Sequence, residues 1–87
     1  MNNKWKLVRE SDDLTNYSDT VVWLEFNSDG TFKKEHLIIE VGFCLLMSTQ
    51  IKLALWQTTT VTEIIENTED YIKFKTTNSI YELFKMK

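Results

Sequence analysis

Proline is absent from the chain and glycine occurs only at Gly30 and Gly42, so polar clusters must mark the turns and no Pro- or Gly-rich linker divides the sequence. One domain over residues 1–87 is expected. The single cysteine, Cys44, cannot form an intramolecular disulfide, which leaves stability to the apolar core and points to a reducing, cytoplasmic setting. The single histidine, His36, has no second histidine or cysteine cluster beside it, so the usual three- or four-ligand zinc site is excluded and no metal or cofactor is expected. An excess of positive charge is missing too: 10 Lys and Arg stand against 13 Asp and Glu, a net charge of -3, which argues against a nucleic-acid partner. The longest apolar run, Val41 to Met47, stops at Ser48-Thr49-Gln50. That is far short of the ~20 residues needed to span a bilayer, so no membrane span is expected. Nothing in Met1 to Trp5 marks the chain for export.

What the sequence does contain is large apolar side chains. Hydrophobic residues make up 43% and aromatics 13%, which suits a small domain that buries only ~60% of its unfolded surface and must use big residues to build a core. Alternation is the organising pattern. Lys4 to Arg9 sets Trp5 and Leu7 against Lys4 and Lys6, as a half-buried strand requires. Glu10 to Thr20 is polar, with Leu14 and Tyr17 as its only anchors, and reads as a loop or one helical turn. Val21 to Phe26, the turn Asn27-Ser28-Asp29-Gly30 and Thr31 to Lys34 form the clearest hairpin, in which Gly30 supplies a positive φ.

From Leu37 to Trp56 periodicity alone allows either strands or a buried helix over Leu45 to Trp56. Strands are favoured by the run Leu37-Ile38-Ile39, by Gly42, by the polar break at Ser48-Thr49-Gln50 and by the alternation of Ile51, Leu53 and Leu55 with Lys52 and Ala54. Thr58 to Ile65, Tyr71 to Lys75 and Ile80 to Phe84 supply three more strands, divided by turns at Asn67 to Asp70 and Thr77 to Ser79. The expectation is an all-β fold, a short antiparallel up-and-down barrel of about seven to eight strands, since closure removes exposed edges.

The order of these segments resembles the lipocalin-like domains of the calycin group. The likeness lies in Trp5-Lys6-Leu7-Val8, in LEFNSDGTFKK from Leu24 to Lys34, and in Gly42, Cys44 and Leu46 followed by Ile51-Lys52-Leu53. It continues through VTEIIENTEDYIKFK from Val61 to Lys75 and IYELFK from Ile80 to Lys85. These are turn and core residues, so the resemblance implies a fold, with Trp5 as a plug at the barrel floor, rather than a chemistry.

No catalytic constellation stands out, and a non-enzymatic role is expected. Cys44 lies in the apolar Phe43-Cys44-Leu45-Leu46, where burial would quiet a thiol. Asp12, Asp13, Glu63, Glu66, Glu69 and Asp70 lack calcium-loop spacing and read as solvated turn residues that could draw a basic partner collectively. Lys33, Lys34, Lys73 and Lys75 read as protection against strand pairing. The first functional expectation is a barrel that holds a small apolar ligand or peptide against Trp5, Leu24, Phe26, Phe32, Leu53, Ile72, Phe74 and Leu83. The alternative is a protein-binding inhibitor or immunity-type protein that blocks a macromolecular partner through an acidic and aromatic surface, with Trp23, Trp56 and Tyr71 on the face opposite that lining. A monomer or a homodimer is expected, and exposure of Val21, Trp23 and Trp56 together would allow the homodimer.

Overall fold

The computed structural model describes residues 4–48 and 54–86. The expected turn at Thr49-Gln50 and the segment Ile51-Lys52-Leu53 lie outside them, and with it the candidate lining residue Leu53. The described residues form strands and no helix, so the helical alternative for Leu45 to Trp56 does not hold where the chain is described, and none of them belongs to a helix long and apolar enough to cross a membrane.

Nine strands are present among them: β1 (Trp5–Arg9), β2 (Thr15–Ser18), β3 (Thr20–Phe26), β4 (Phe32–His36), β5 (Cys44–Ser48), β6 (Ala54–Gln57), β7 (Val61–Asn67), β8 (Tyr71–Thr76) and β9 (Ile80–Lys85). All pairings are antiparallel and fall into two sheets, one ordered β2-β1-β9-β8-β7 and the other β4-β3-β5-β6. The single closed ring expected from the sequence is not what the ladders form. Instead the chain bends from one sheet to the other at two corners, β2 into β3 through Asp19 and β6 into β7 through Thr58 to Thr60, as strands that switch sheets do at the corners of packed sheets. The second corner is tied to β5 by backbone bonds: Thr58 N–H donates to the Leu45 carbonyl at 2.9 Å and Val61 N–H to the Phe43 carbonyl at 2.8 Å.

The core lies between the sheets. Leu7, Phe74, Tyr81 and Leu83 come from the first sheet and Trp23, Leu45 and Met47 from the second, with Val61 at the corner and Ile39 and Phe43 beside β5. Trp23 meets Phe74 edge-on at a centroid distance of 5.3 Å, and Phe74 stacks on Tyr81 at 5.6 Å, so one aromatic column crosses the gap.

Two expectations are corrected here. Part of the polar stretch Glu10 to Thr20 is strand β2, paired with β1 from Trp5↔Ser18 to Val8↔Thr15. An edge strand with Asn16 and an exposed Tyr17 needs little apolar alternation, which hid it. The turn before it is held by Asp12, whose carboxylate accepts from Arg9 at 3.0 and 2.7 Å and from Leu14 N–H at 3.2 Å, while Asp13 takes a positive φ of 58°. The Arg9 hydrogen bond lowers the Asp12 pKa from 3.8 to about 2. Because the folded value is depressed, this contribution is whole above the ordinary aspartate range and is lost as pH falls towards 2. Carboxyl NMR titration is expected to place Asp12 near 2. A midpoint at the ordinary 3.8 would mean that the clamp does not form.

The second correction is the face of β3. Trp23, expected outside, is 2% exposed and central to the core, while Leu24 and Phe26, expected inside, point to the other side of the sheet with Val22. The register shows why alternation misled: Trp23 opposes Leu45 and Val21 opposes Met47 on the inner face, while Leu24 opposes Cys44 and Val22 opposes Leu46 on the outer one. Both faces of this strand pair are apolar, so alternation carries no direction. The hairpin itself forms at Asp29-Gly30, with Gly30 at φ 88° and the Asp29 carboxylate accepting from the Thr31 amide and hydroxyl. No atom lies within 4 Å of a Cβ added to Gly30, so the cost of Gly30→Val is the backbone strain alone, about 1 kcal/mol or more.

Candidate interaction surface

The strands β4 and β5 flank β3 and both run antiparallel to it, so they are parallel to each other and the chain between them must pass across β3. Ile39, 4% exposed and clustered with Trp23 and Phe43, puts that crossing on the core side. The run Leu37-Ile38-Ile39, expected as strand, is therefore a strap pinned by one buried side chain. Its neighbours point away from the core: Leu37 is 87%, Ile38 71% and Val41 60% exposed.

Both ends of the strap are fixed. At the first, His36 stacks on Phe43 with ring centroids 4.4 Å apart and planes 16° apart, and its Nε2 lies 2.7 Å from Glu25 Oε1. A carboxylate can only accept, so Nε2 carries the proton. This bond holds the Glu25 carboxyl below its usual range against an opposing desolvation effect, and Lys33 at 3.3 Å adds a lesser lowering. The stabilisation is present above the ordinary glutamate range and fades as pH drops through the depressed value. At the second end, Phe43 N–H donates to the Glu40 carbonyl at 3.2 Å and Gly42 N–H to the Val61 carbonyl at 2.8 Å. Gly42 holds φ at 100°, a conformation that side-chain-bearing residues avoid, although the space around it is open. Gly42→Ala is therefore expected to destabilise by about 1–2 kcal/mol through the backbone alone, read as a lowered urea midpoint with unchanged slope.

The expected ligand lining is divided between locations. Trp5, Ile72, Phe74 and Leu83 do share the core side of the first sheet, where Phe74 and Leu83 are fully buried and Trp5 and Ile72 pack at the margin. Leu24, Phe26 and Phe32 lie on the outer face of the second sheet, where Phe26 and Phe32 meet edge-on at 6.2 Å and Phe32 is 55% exposed. The three candidate interaction residues also separate. Trp23 is core. Trp56 opposes Met47 and packs half-buried against the core, with the Arg9 guanidinium 5.4 Å from its ring and its indole N–H buried without an acceptor among the described residues. Tyr71 lies on the outer face of the first sheet, in the cross-strand row Tyr17, Lys6, Phe84, Tyr71.

Tyr71 donates to Glu82 at 2.6 Å, and that bond is the main reason its hydroxyl is pushed up from 10.0 to about 12. The raised value makes the contribution whole below the ordinary tyrosine range and lost as pH rises through about 12. Glu82→Gln is expected to return the Tyr71 titration towards 10.0, followed by ultraviolet absorbance against Tyr71→Phe; an unchanged midpoint near 12 would rule out Glu82 as the cause.

Cys44 is buried, its Sγ 3.8 Å from the Thr60 hydroxyl, and among the described residues no group of three or more His, Cys, Asp or Glu side chains could hold a metal ion. Sequence reasoning read Leu37 and Ile38 as strand and singled out neither them nor Val41 as candidate contact residues, since an apolar run that turns outward looks like one that turns inward until the crossover is known. The chain matches no protein-family model, and neither curated proteins nor solved structures show a significant match to it.

Proposed function

We propose that this domain is a non-enzymatic binding module that engages a macromolecular partner through the β4–β5 strap. The observation that carries this reading is the exposure of Leu37, Ile38 and Val41 on a segment held at both ends and pinned by Ile39. Single exposed aliphatics are ordinary on protein surfaces, but three within five positions of one segment concentrate apolar exposure there, as contact sites do. Fixing the strap before contact lowers the ordering cost of association, and burying three such side chains offers roughly 5 kcal/mol before the costs of association are deducted. A role that blocks a partner by occupying its surface needs no catalytic group.

The test is a photo-reactive amino acid placed at position 38, or at exposed position 75 on the opposite sheet, in the producing cell. A discrete macromolecular adduct from position 38 that is absent from position 75 is expected. No adduct from position 38, or the same adducts from both, would remove the basis for this reading.

A further inference from the structure

We infer that the free edge of β2 is a self-association surface, on which a second copy of this chain adds its own β2 as an antiparallel neighbour. This surface is separate from the strap. Among the described residues the two sheets end in four edge strands, β2 and β7 in one and β4 and β6 in the other. Three of them are interrupted. In β4 Lys33 is an extra residue between Phe32 and Lys34, and in β6 Leu55 is one between Ala54 and Trp56. In β7 Thr62 and Ile65 both fall out of the register with β8. Bulges of this kind twist an edge and break the row of backbone groups that another strand would need. Charged side chains add to the protection in β4, with Lys33, Lys34 and Glu35, and in β7, with Glu63 and Glu66. β2 has neither guard: Thr15 to Ser18 follow β1 without a shift, and the strand holds no charged residue.

The ladders on either side of β1 assign the backbone groups of β2. Glu10 N–H donates to the Ile80 carbonyl at 2.8 Å and Met86 N–H to the Lys4 carbonyl at 2.7 Å, so the even-numbered residues of β1 bond β9. The odd-numbered ones bond β2, as Arg9 N–H does the Leu14 carbonyl at 2.8 Å, with Leu7 opposite Asn16 and Trp5 opposite Ser18 continuing the series. Thr15 and Tyr17 therefore aim N–H and C=O at the free edge, where no backbone partner meets them among the described residues. These two residues are symmetric about Asn16. A two-fold axis there sets Thr15 of each copy opposite Tyr17 of the other, and each such pair exchanges both N–H···O bonds. The strand is thus its own complement, which selects a second copy as the occupant. On the outer face the exposed Tyr17 ring lies beside Thr15 of the other copy, an aromatic and β-branched pair. The ladder stops where Asp13 takes a positive φ and where Asp19 leads into β3. So short an interface is weak, and the net charge of -3 on each copy opposes it, so association belongs to high concentration and strengthens with salt.

The experiment is sedimentation equilibrium of the full chain, from about 0.02 to about 1 mM at low and high NaCl, paired with amide hydrogen exchange of the same samples. A monomer–dimer equilibrium that tightens at high salt is expected. The Thr15 and Tyr17 amides should exchange about tenfold more slowly in the concentrated sample, while those of Asn16 and Ser18, already turned to β1, change far less. Tyr17→Pro removes an outward N–H without touching a bond to β1, and a folded monomer at every concentration is the expected result; Tyr17→Phe keeps the dimer. Tyr17→Lys guards the edge without altering the backbone and answers the same question if the proline variant does not fold. A wild type that stays monomeric overturns the inference. A dimer that leaves Thr15 and Tyr17 exchange unchanged, or that persists in a folded Tyr17→Pro, overturns it as well. Protection of the same amides by an extract of the producing cell, but not by the protein itself, overturns the choice of a second copy.

Discussion

Trp23→Ala is expected to cost about 3–5 kcal/mol, a large share of the roughly 5–15 kcal/mol that holds a small domain together. The indole is almost wholly buried, lies in the cluster shared by both sheets and meets Phe74 at 5.3 Å, so its removal opens a cavity where the sheets are joined and forfeits an edge-on aromatic pair. Phe26→Ala removes a ring of substantial size two strand positions further on from Leu24, yet that ring is only half-buried and packs against an exposed Phe32 on the outer face. It should cost about 1 kcal/mol. Urea unfolding of the two variants distinguishes the faces of β3 directly. A larger loss for Phe26→Ala than for Trp23→Ala would reverse the assignment of inside and outside and the placement of the strap with it.

The second large effect concerns binding rather than folding. Replacing Leu37, Ile38 and Val41 together by serine is expected to abolish formation of the partner complex, a loss of a hundredfold or more in affinity, because these side chains supply most of the apolar area the strap can bury. The same variant should keep its melting temperature within a few degrees of the wild type, since surface side chains that touch little in the free domain contribute little to its stability. Ile39→Ser should behave oppositely: its buried side chain pins the strap, and a hydroxyl placed in that cluster destabilises the fold before any partner is met. If the triple serine variant binds as the wild type does, the contact lies elsewhere on the molecule.

How much of this was legible in the sequence depends on whether one face of each strand meets water. In β1, β8 and β9 it does, and the alternation that put Trp5, Leu7, Ile72, Phe74 and Leu83 inward located both the strands and their inner faces. The turn Asp29-Gly30 was legible for a different reason, because a positive φ is a property of one residue type at one position. In β3 and β5 both faces are apolar, so the strands could be found but their orientation could not: Trp23, expected outside, is core, and Leu24, buried as expected, lies on the other face of the sheet. The edge strand β2 had too few apolar residues to register. The strap was the hardest case. Leu37 to Val41 has the composition of a buried strand, and only the flanking of β3 by β4 and β5, a fact about pairing across distant residues, makes it a crossover with its apolar side chains turned to solvent.

The central claim is that a fixed strap buries Ile39 and shows Leu37, Ile38 and Val41 to the outside. Methyl NMR of the free protein in the presence of a soluble nitroxide tests it in one spectrum. Strong broadening of the Leu37, Ile38 and Val41 methyls, with Ile39 as protected as the core residues Leu7 and Leu45, is the predicted result. Protection of Leu37 and Ile38 equal to that of Leu45, or broadening of Ile39 alongside them, would contradict it.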